Sequence, residues 1–439
     1  MKQNIFWFRR DLRLQDNAGL YHALKSKCPV QCIFIFDKNI LDKLPKDDAR
    51  VSFIHQELDR LSKELSEFGA SLRCYYGKPK SCWKQVCDDF TVSEVFTNSD
   101  YEPYAKERDQ EIEKFLSRKK INLRKYKDHI IFESDEVTKD DGLPYTVFTP
   151  YKKKWLKKMD SKMRGKNSFY LTSYPSLKYA SNFANRKKSK LIPLKEMGFK
   201  KSSQEIPSKE VKRSIIKKYT EQRNFPAING TSKLGIHFRF GTISIRDKAR
   251  KALALNDTFL SELVWRDFYS QILDKFPHVV EGPFRAKYKN IEWRNDEDDF
   301  EAWKQGRTGY PMVDAGMREL NETGFMHNRV RMVVASFLTK HLLLHWSWGE
   351  AYFAEKLLDF DLASNNGGWQ WASGTGTDAA PYFRIFNPAS QLSKFDKDHQ
   401  YVKEWVPEFG TEEYVEPIVE HKFARERCLA AYKEGLAKV

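Results

Sequence analysis

The sequence predicts an α/β domain followed by an all-α domain: a doubly wound parallel sheet, a long linker, then a helical bundle. Three observations predict it. Short apolar runs alternate with helical patterns over the first 128 residues, a basic stretch of loose pattern follows, and after Lys218 the apolar spacing is helical throughout. The implied boundaries are 1–128, 129–194 and 195–439.

The expected strands are 4–8, 30–36, 72–76, 94–97 and 121–125, each a short run of apolar and β-branched or aromatic residues. Between them, 48–69 and 103–119 carry apolar residues at three- and four-residue spacing. Such alternation implies helices on both faces of a parallel sheet. The first strand–helix turn reads FRRDLRLQDN where a dinucleotide fold would carry GxGxxG, so a conventional nicotinamide site is excluded. Beyond residue 128, the runs YKKKWLKKMDSKMRGK and NRKKSK are basic and mixed with Ser and Asn. They read as a solvated connector with short helices, in preference to a nuclear-targeting signal or a DNA contact. The helical part is expected at 259–276, 312–322, 329–345 and 351–359, with no repeat of fixed period.

A chain of 439 residues that is 41% hydrophobic can bury the cores of two domains. A mean hydropathy of -0.67 and the lack of a long apolar run exclude a membrane span. The opening MKQNIFWFRRDLRLQDN passes from a short apolar stretch straight into charges, unlike a signal peptide, so a cytoplasmic location is expected. The six cysteines, at 28, 32, 74, 82, 87 and 428, are scattered and read as reduced thiols; no second pair completes a zinc site near Cys82 and Cys87. A formal charge of +16 favours a polyanion such as DNA, and 14% aromatic content with 11 Trp suits stacking on bases or on a flat cofactor.

The densest chemistry lies in DFDLASNNGGWQWASGTGTDAAPYFRIFNP, from Asp359 to Pro388. Small residues let backbone approach a ligand, Asp and Asn supply fixed acceptors and donors, and a glycine-bracketed aromatic pair suggests a flat ligand held between helices. This segment resembles the flavin-binding core of the photolyase/cryptochrome family. WFRRDLRLQDN, TSKLG, FGTIS, ELVWRDFY, TGYPMVDAGMREL, GFMHNRVRM and PIVEHKFARERCLAAY extend the resemblance over nearly the whole chain, closest to the class I cyclobutane pyrimidine dimer photolyases.

The resemblance implies a Rossmann-like antenna-binding domain and a helical domain holding FAD. Reduced FADH⁻, excited by near-ultraviolet or blue light, would donate an electron to a flipped-out dimer, which splits and returns it. It implies FAD contacts at Tyr219, Thr231, Ser232, Lys233, Leu234, Phe259, Arg266, Arg331, Asp359, Asp361 and Asn365, with Arg331 paired to Asp359 and Asn365 facing flavin N5. The lesion pocket would use Glu262 on the dimer's carbonyl edge, Trp265 and Trp371 as aromatic walls, and Asn328 and Met332 as the floor. Trp369, Trp346 and Trp293 match the family's electron-transfer chain. Arg223, Arg266, Arg329 and Arg384 match basic groups near the flavin or the cavity mouth, with Arg223, Arg329 and Arg384 as DNA contacts. UV-damaged DNA is thus the implied partner of a monomer.

Photolyases of the (6-4) lesion resemble WIHHLARH. Here FMHNRVRM puts Asn328 where their key His stands, which favours the cyclobutane dimer; His327 is expected about 100° away around the same helix. The remaining alternative is a blue-light photoreceptor of cryptochrome type. Phe325 and Phe259 replace Trp of the family pattern, and Gly235 replaces a Ser. Tyr101 and Glu102 resemble positions that help bind a methenyltetrahydrofolate antenna in some members. Others use a deazaflavin, a second flavin, or nothing, and the resemblance leaves that choice open.

Overall fold

Strand β1 (Gln3–Phe8) is buried along its whole length, as a central strand covered on both faces must be. It is joined by β2 (Val30–Asp37), β3 (Leu72–Gly77), β4 (Val92–Asn98) and β5 (Asn122–Tyr126) in a parallel sheet of order β3-β2-β1-β4-β5. The computed structural model describes residues 2–160, 168–185 and 189–438; parts of the two basic runs, 161–166 and 186–188, lie outside the described residues.

Side-chain alternation along the strands sorts the apolar residues into two layers. Phe6, Phe8, Phe34 and Phe36 pack against Leu20 and Leu24 of helix α1 (Ala18–Lys25) and Leu58, Leu61 and Leu65 of α2 (Ala49–Glu67). Ile5, Trp7, Ile33 and Val95 pack against Trp83 and Val86 of α3 (Pro79–Asp89) and Ile112 and Leu116 of α4 (Pro103–Arg118). The turn after β1 is filled by side chains rather than open for phosphate. The buried Asp11 carboxylate accepts from the Arg9 N–H at 2.7 Å and from Asn98 Nδ2 at 2.6 Å. A carboxylate there repels an anion, in keeping with the missing glycine motif.

The chain forms two compact units, each discontinuous in sequence: Met1–Val137, Trp155–Lys209 and Leu234–Ala254 in one, Thr138–Lys154, Glu210–Lys233 and Leu255–Val439 in the other. The sequence pattern, in contrast, marks contiguous blocks. Part of the stretch that reads as a connector is core: Trp155 is fully buried, and Phe183, Met197 and Phe199 join the α1–α2 layer.

The second unit is helical. It is built on α6 (Asp257–Lys275), α7 (Pro311–Thr323), α8 (Asn328–Ser336), α9 (Trp346–Lys356) and α10 (Leu362–Ser373), whose core includes Met312, Leu320, Val330, Trp346, Phe353 and Trp369. The first turns of α5 (Phe148–Met159) also belong to it. Two helices differ from the sequence pattern. The one expected over 329–345 stops at Ser336; Phe337–His341 form a π turn, and Leu343 takes a left-handed φ of 53°. The apolar run continues across this break, so periodicity does not reveal it. The helix expected over 351–359 begins earlier, at Trp346, where His345 caps it by accepting from the Ser347 N–H. No helix among the described residues is long and apolar enough to cross a membrane.

Candidate functional site

Asn256 caps α6 by accepting from the Phe259 N–H at 2.9 Å and so fixes the phase of the helix. Glu262, Trp265, Arg266 and Tyr269 then fall at i, i+3, i+4 and i+7, one face of the helix. Helix α8 presents Asn328, Arg331, Met332 and Ala335 by the same spacing. Helix α10, capped by the Asp361 carboxylate on the Ser364 N–H, adds Asn365, Gly368, Trp369 and Trp371. These side chains, with Asp359 and Lys152, line one cavity of about 660 Å³. Glycines let its walls close: a Cβ on Gly367 would lie 2.2 Å from Cδ1 of Tyr269, and one on Gly349 only 2.1 Å from Cη2 of Trp369.

Charge within the cavity is paired unevenly. Glu262 forms an ion pair with Arg223. Burial pushes the Glu262 carboxyl above its ordinary value, opposed by Arg223 and by Lys152. Lys152 Nζ also donates to Ser261 Oγ at 3.1 Å. Asp359 Oδ2 accepts from Arg331 at 3.0 Å, whereas its Oδ1 is buried with no hydrogen-bond partner among the described residues. Such an acceptor needs a donor, and a ligand with an N–H edge supplies one. Asn365 donates its amide nitrogen to the Glu350 carbonyl at 3.0 Å and keeps its oxygen for the cavity.

Two family models match the chain: DNA photolyase over residues 4–167 and the FAD binding domain of DNA photolyase over 259–412. The deoxyribodipyrimidine photo-lyase of Synechococcus sp. is 35% identical, over 99% of this chain and 97% of its own. That of Escherichia coli is 34% identical, over 99% of both chains. The chain belongs to the DNA photolyase family. Solved structures agree. A bacterial class III photolyase from Agrobacterium tumefaciens superposes with a TM-score of 0.86 at 32% identity, covering 100% of this chain and 98% of that one. An archaeal photolyase from Sulfolobus tokodaii, described with two FAD molecules, gives 0.81 at 34% identity, covering 99% and 100%.

The photolyase cavity has the donors and acceptors that FAD requires. The orphaned Asp359 oxygen, the Arg331 guanidinium and the Asn365 amide stand beside the Trp369 ring at a volume suited to a flat ligand. Of the FAD positions expected from sequence, Arg266, Arg331, Asp359, Asp361 and Asn365 line it. Tyr219 and Phe259 do not; they are buried with their rings edge-on at 5.2 Å. Thr231, Ser232 and Lys233 are also absent from the lining, and Lys233 Nζ lies 4.9 Å over the Phe325 ring. Leu234 is buried in the other compact unit. All five lesion-pocket residues, Glu262, Trp265, Asn328, Met332 and Trp371, line the cavity.

Trp369 forms a cavity wall; Trp346 is buried, and Trp293 is partly buried against the same core. The His345 ring lies 5.3 Å from each of Trp346 and Trp293 and so sits between them. Arg223 lines the cavity, Arg329 donates to Asn224 at 2.8 Å and covers the Phe395 ring, and Arg384 is exposed. In the first unit, Glu102 accepts from Arg10 at 2.8 Å and pairs with Arg239, while the Tyr101 hydroxyl donates to Glu133 at 3.2 Å.

One expectation is corrected. His327 is the N-cap of α8, outside the helix, and its Nδ1 accepts from the Arg329 N–H at 3.2 Å. Sequence reasoning also missed Lys152, Ser261 and Tyr269. Ser261 and Tyr269 were within reach of the spacing on α6, whereas Lys152 is one lysine among many in a basic run.

Proposed function

We propose that this protein is a light-driven DNA repair enzyme that splits cyclobutane pyrimidine dimers, acting as a cytoplasmic monomer. The observation that carries the reading is the convergence of Glu262, Trp265, Asn328, Met332 and Trp371 on the cavity that holds Asp359, Asn365 and Trp369. Relatives named deoxyribodipyrimidine photo-lyase at 33–36% identity support the substrate. The net charge of +16 supports a DNA partner, and the six free cysteines suit a reducing compartment.

FAD, when bound, supplies light absorption and the electron that opens the dimer. The chain's own residues do the rest. Arg223, Arg329 and Arg384 hold phosphates without reading sequence, and the dimer, which pairs poorly, leaves the stack at low cost. Trp265 and Trp371 then accept its faces. The dimer carbonyls gain negative charge as the electron arrives, and a carboxyl raised by burial is suited to donate a hydrogen bond there. Asp359 and Arg331 form one fixed ion pair at the cofactor's edge. The two ring-closing C–C bonds break, the electron returns, and no net oxidation results.

The test is blue-light repair of an oligonucleotide carrying one thymine dimer by reduced, FAD-loaded protein, with a dark control. Light-dependent loss of the dimer is expected, and Glu262→Ala should lower the yield severalfold with FAD still bound. No repair of this lesion, with repair of a (6-4) product or of neither, would overturn the assignment.

A further inference from the structure

The FTPYKKKW stretch and the GTGTD loop meet behind Trp265. The Phe148 and Trp265 rings are stacked with centroids 3.6 Å apart and planes 7° from parallel. Phe268 braces the pair edge-on, at 5.6 Å from Trp265 and 5.8 Å from Phe148. Trp265 lines the cavity and is partly open, whereas Phe148 is buried and does not line it. Phe148 therefore covers the face of the indole turned away from the cavity.

Phe148 is itself held in place. Its backbone N–H donates to Asp378 Oδ2 at 3.3 Å, and Thr377 Oγ1 donates to the Thr146 carbonyl at 2.6 Å. One turn further on, Lys152 Nζ reaches Ser261 Oγ, tying α5 to the helix that carries Trp265. These ties give the GTGTD loop a task besides ligand contact: it fixes the segment that backs the indole.

We propose that Phe148 is a positioning residue for lesion binding: it locks the plane of Trp265 so that the opposite face is presented, preorganised, to the flipped-out dimer. The proposal rests on Trp265 being the stacking wall for the lesion. An indole free to change rotamer would have to be ordered on binding, at a cost in affinity for the lesion alone. Contacts to undamaged duplex do not involve that face and are indifferent to it.

The experiment measures dissociation constants of FAD-loaded protein, in the dark, for a thymine-dimer oligonucleotide and its undamaged counterpart. Wild type is compared with Phe148→Leu, Phe148→Tyr, Trp265→Ala and the Phe148→Leu/Trp265→Ala double variant. Phe148→Leu should weaken dimer binding about fivefold, the scale of one aromatic pair, and leave undamaged DNA unchanged. Phe148→Tyr should restore the preference, and Phe148→Leu should cost nothing more once Trp265 is alanine. Wild-type dimer affinity in Phe148→Leu, equal losses on both DNAs, or an undiminished loss in the double variant would each overturn the proposal. If Trp265→Ala alone leaves dimer binding intact, the stacking role of Trp265 fails and this proposal with it. That result is distinct from a Phe148 failure with Trp265 still required. Should Phe148→Leu not load FAD, Phe148→Met carries the same comparison.

Discussion

Replacing Gly349 with alanine puts a carbon 2.1 Å from Cη2 of Trp369 and 2.5 Å and 2.6 Å from its Cζ3 and Cζ2. Carbon–carbon contact is comfortable at about 3.5–4.0 Å, so the ring or the helix must move by roughly 1.5 Å. Both belong to the core around Trp303 and Phe353, with Phe353 edge-on to Trp369 at 5.0 Å. Overpacking of this kind costs about 1–3 kcal/mol. Against it, alanine in a helix interior gains about 1 kcal/mol over glycine. The net expectation is a loss of up to about 2 kcal/mol, or a fall of several degrees in Tm at about 2–4 °C per kcal/mol. The ring that moves is a wall of the FAD cavity, so Gly349→Ala should also retain less FAD after gel filtration. Thermal unfolding and flavin absorbance read the two effects separately. A variant that melts above wild type and keeps its full FAD content would refute the claim that Gly349 exists to admit Trp369.

Trp369→Phe should retain FAD yet fail to photoreduce it, while the chemically reduced variant still repairs; flavin absorbance under blue light and a repair assay check this. Asp359→Asn leaves Arg331 without its ionic partner and should weaken FAD binding at least about tenfold, as loss of a charged hydrogen bond does; fluorescence titration measures it. Because burial raises the Glu262 carboxyl, its protonated fraction falls as pH rises, so repair yield at saturating DNA should decline with pH. Glu262→Gln, a permanent donor, should flatten that profile. His327 and His341 are held neutral by burial, lowered to about 4 and about 3. Their contribution to stability is therefore whole above the ordinary pKa of 6.5 and is lost as pH falls below it. Each site costs about 1.4 kcal/mol per pH unit there. Urea unfolding at pH 7.5, 6.5 and 5.5 should show the decline, and His327→Asn, which can still cap α8, should reduce its slope.

The sheet was legible because its strands are short, apolar and bounded by polar turns, and each of the five appears within two residues of its expected ends. Helix α10 was not, since LASNNGGWQWAS holds two Gly, two Asn and two Ser, all poor helix formers. Tertiary contacts make it helical: Asp361 caps it, Gly367 packs against Tyr269, and Asn366 and Gln370 donate to the Val279 carbonyl at 3.0 Å and 2.8 Å. The lesion-pocket residues were legible through motifs, each a short stretch on one helix face. Lys152 and Phe148 were not, because their partners are more than a hundred residues away and a basic run looks the same whether its lysines meet solvent or a serine. The interleaving of the two units is hidden for a related reason. Periodicity reports which face of an element is apolar, and says nothing of which core receives it.

The stretch from Asp359 to Asp378 is chemically dense because it serves every wall of the site. Asp359 binds Arg331 of α8, and Asp361 starts α10. Trp369 closes on α9 at Gly349, and Trp371 faces the lesion side of the cavity. Asp378 and Thr377 then reach the segment that backs Trp265 on α6. A hydrophobic helix could pack against the same neighbours, but it could not leave a free carboxylate oxygen and an amide aimed at a ligand. The Asn, Ser and Gly residues that weaken α10 as an isolated helix are the ones that allow close approach and polar contact. The stability lost locally is recovered from neighbouring helices, so substitutions in this stretch should disturb folding and cofactor binding together, unlike substitutions at the pocket residues of α6.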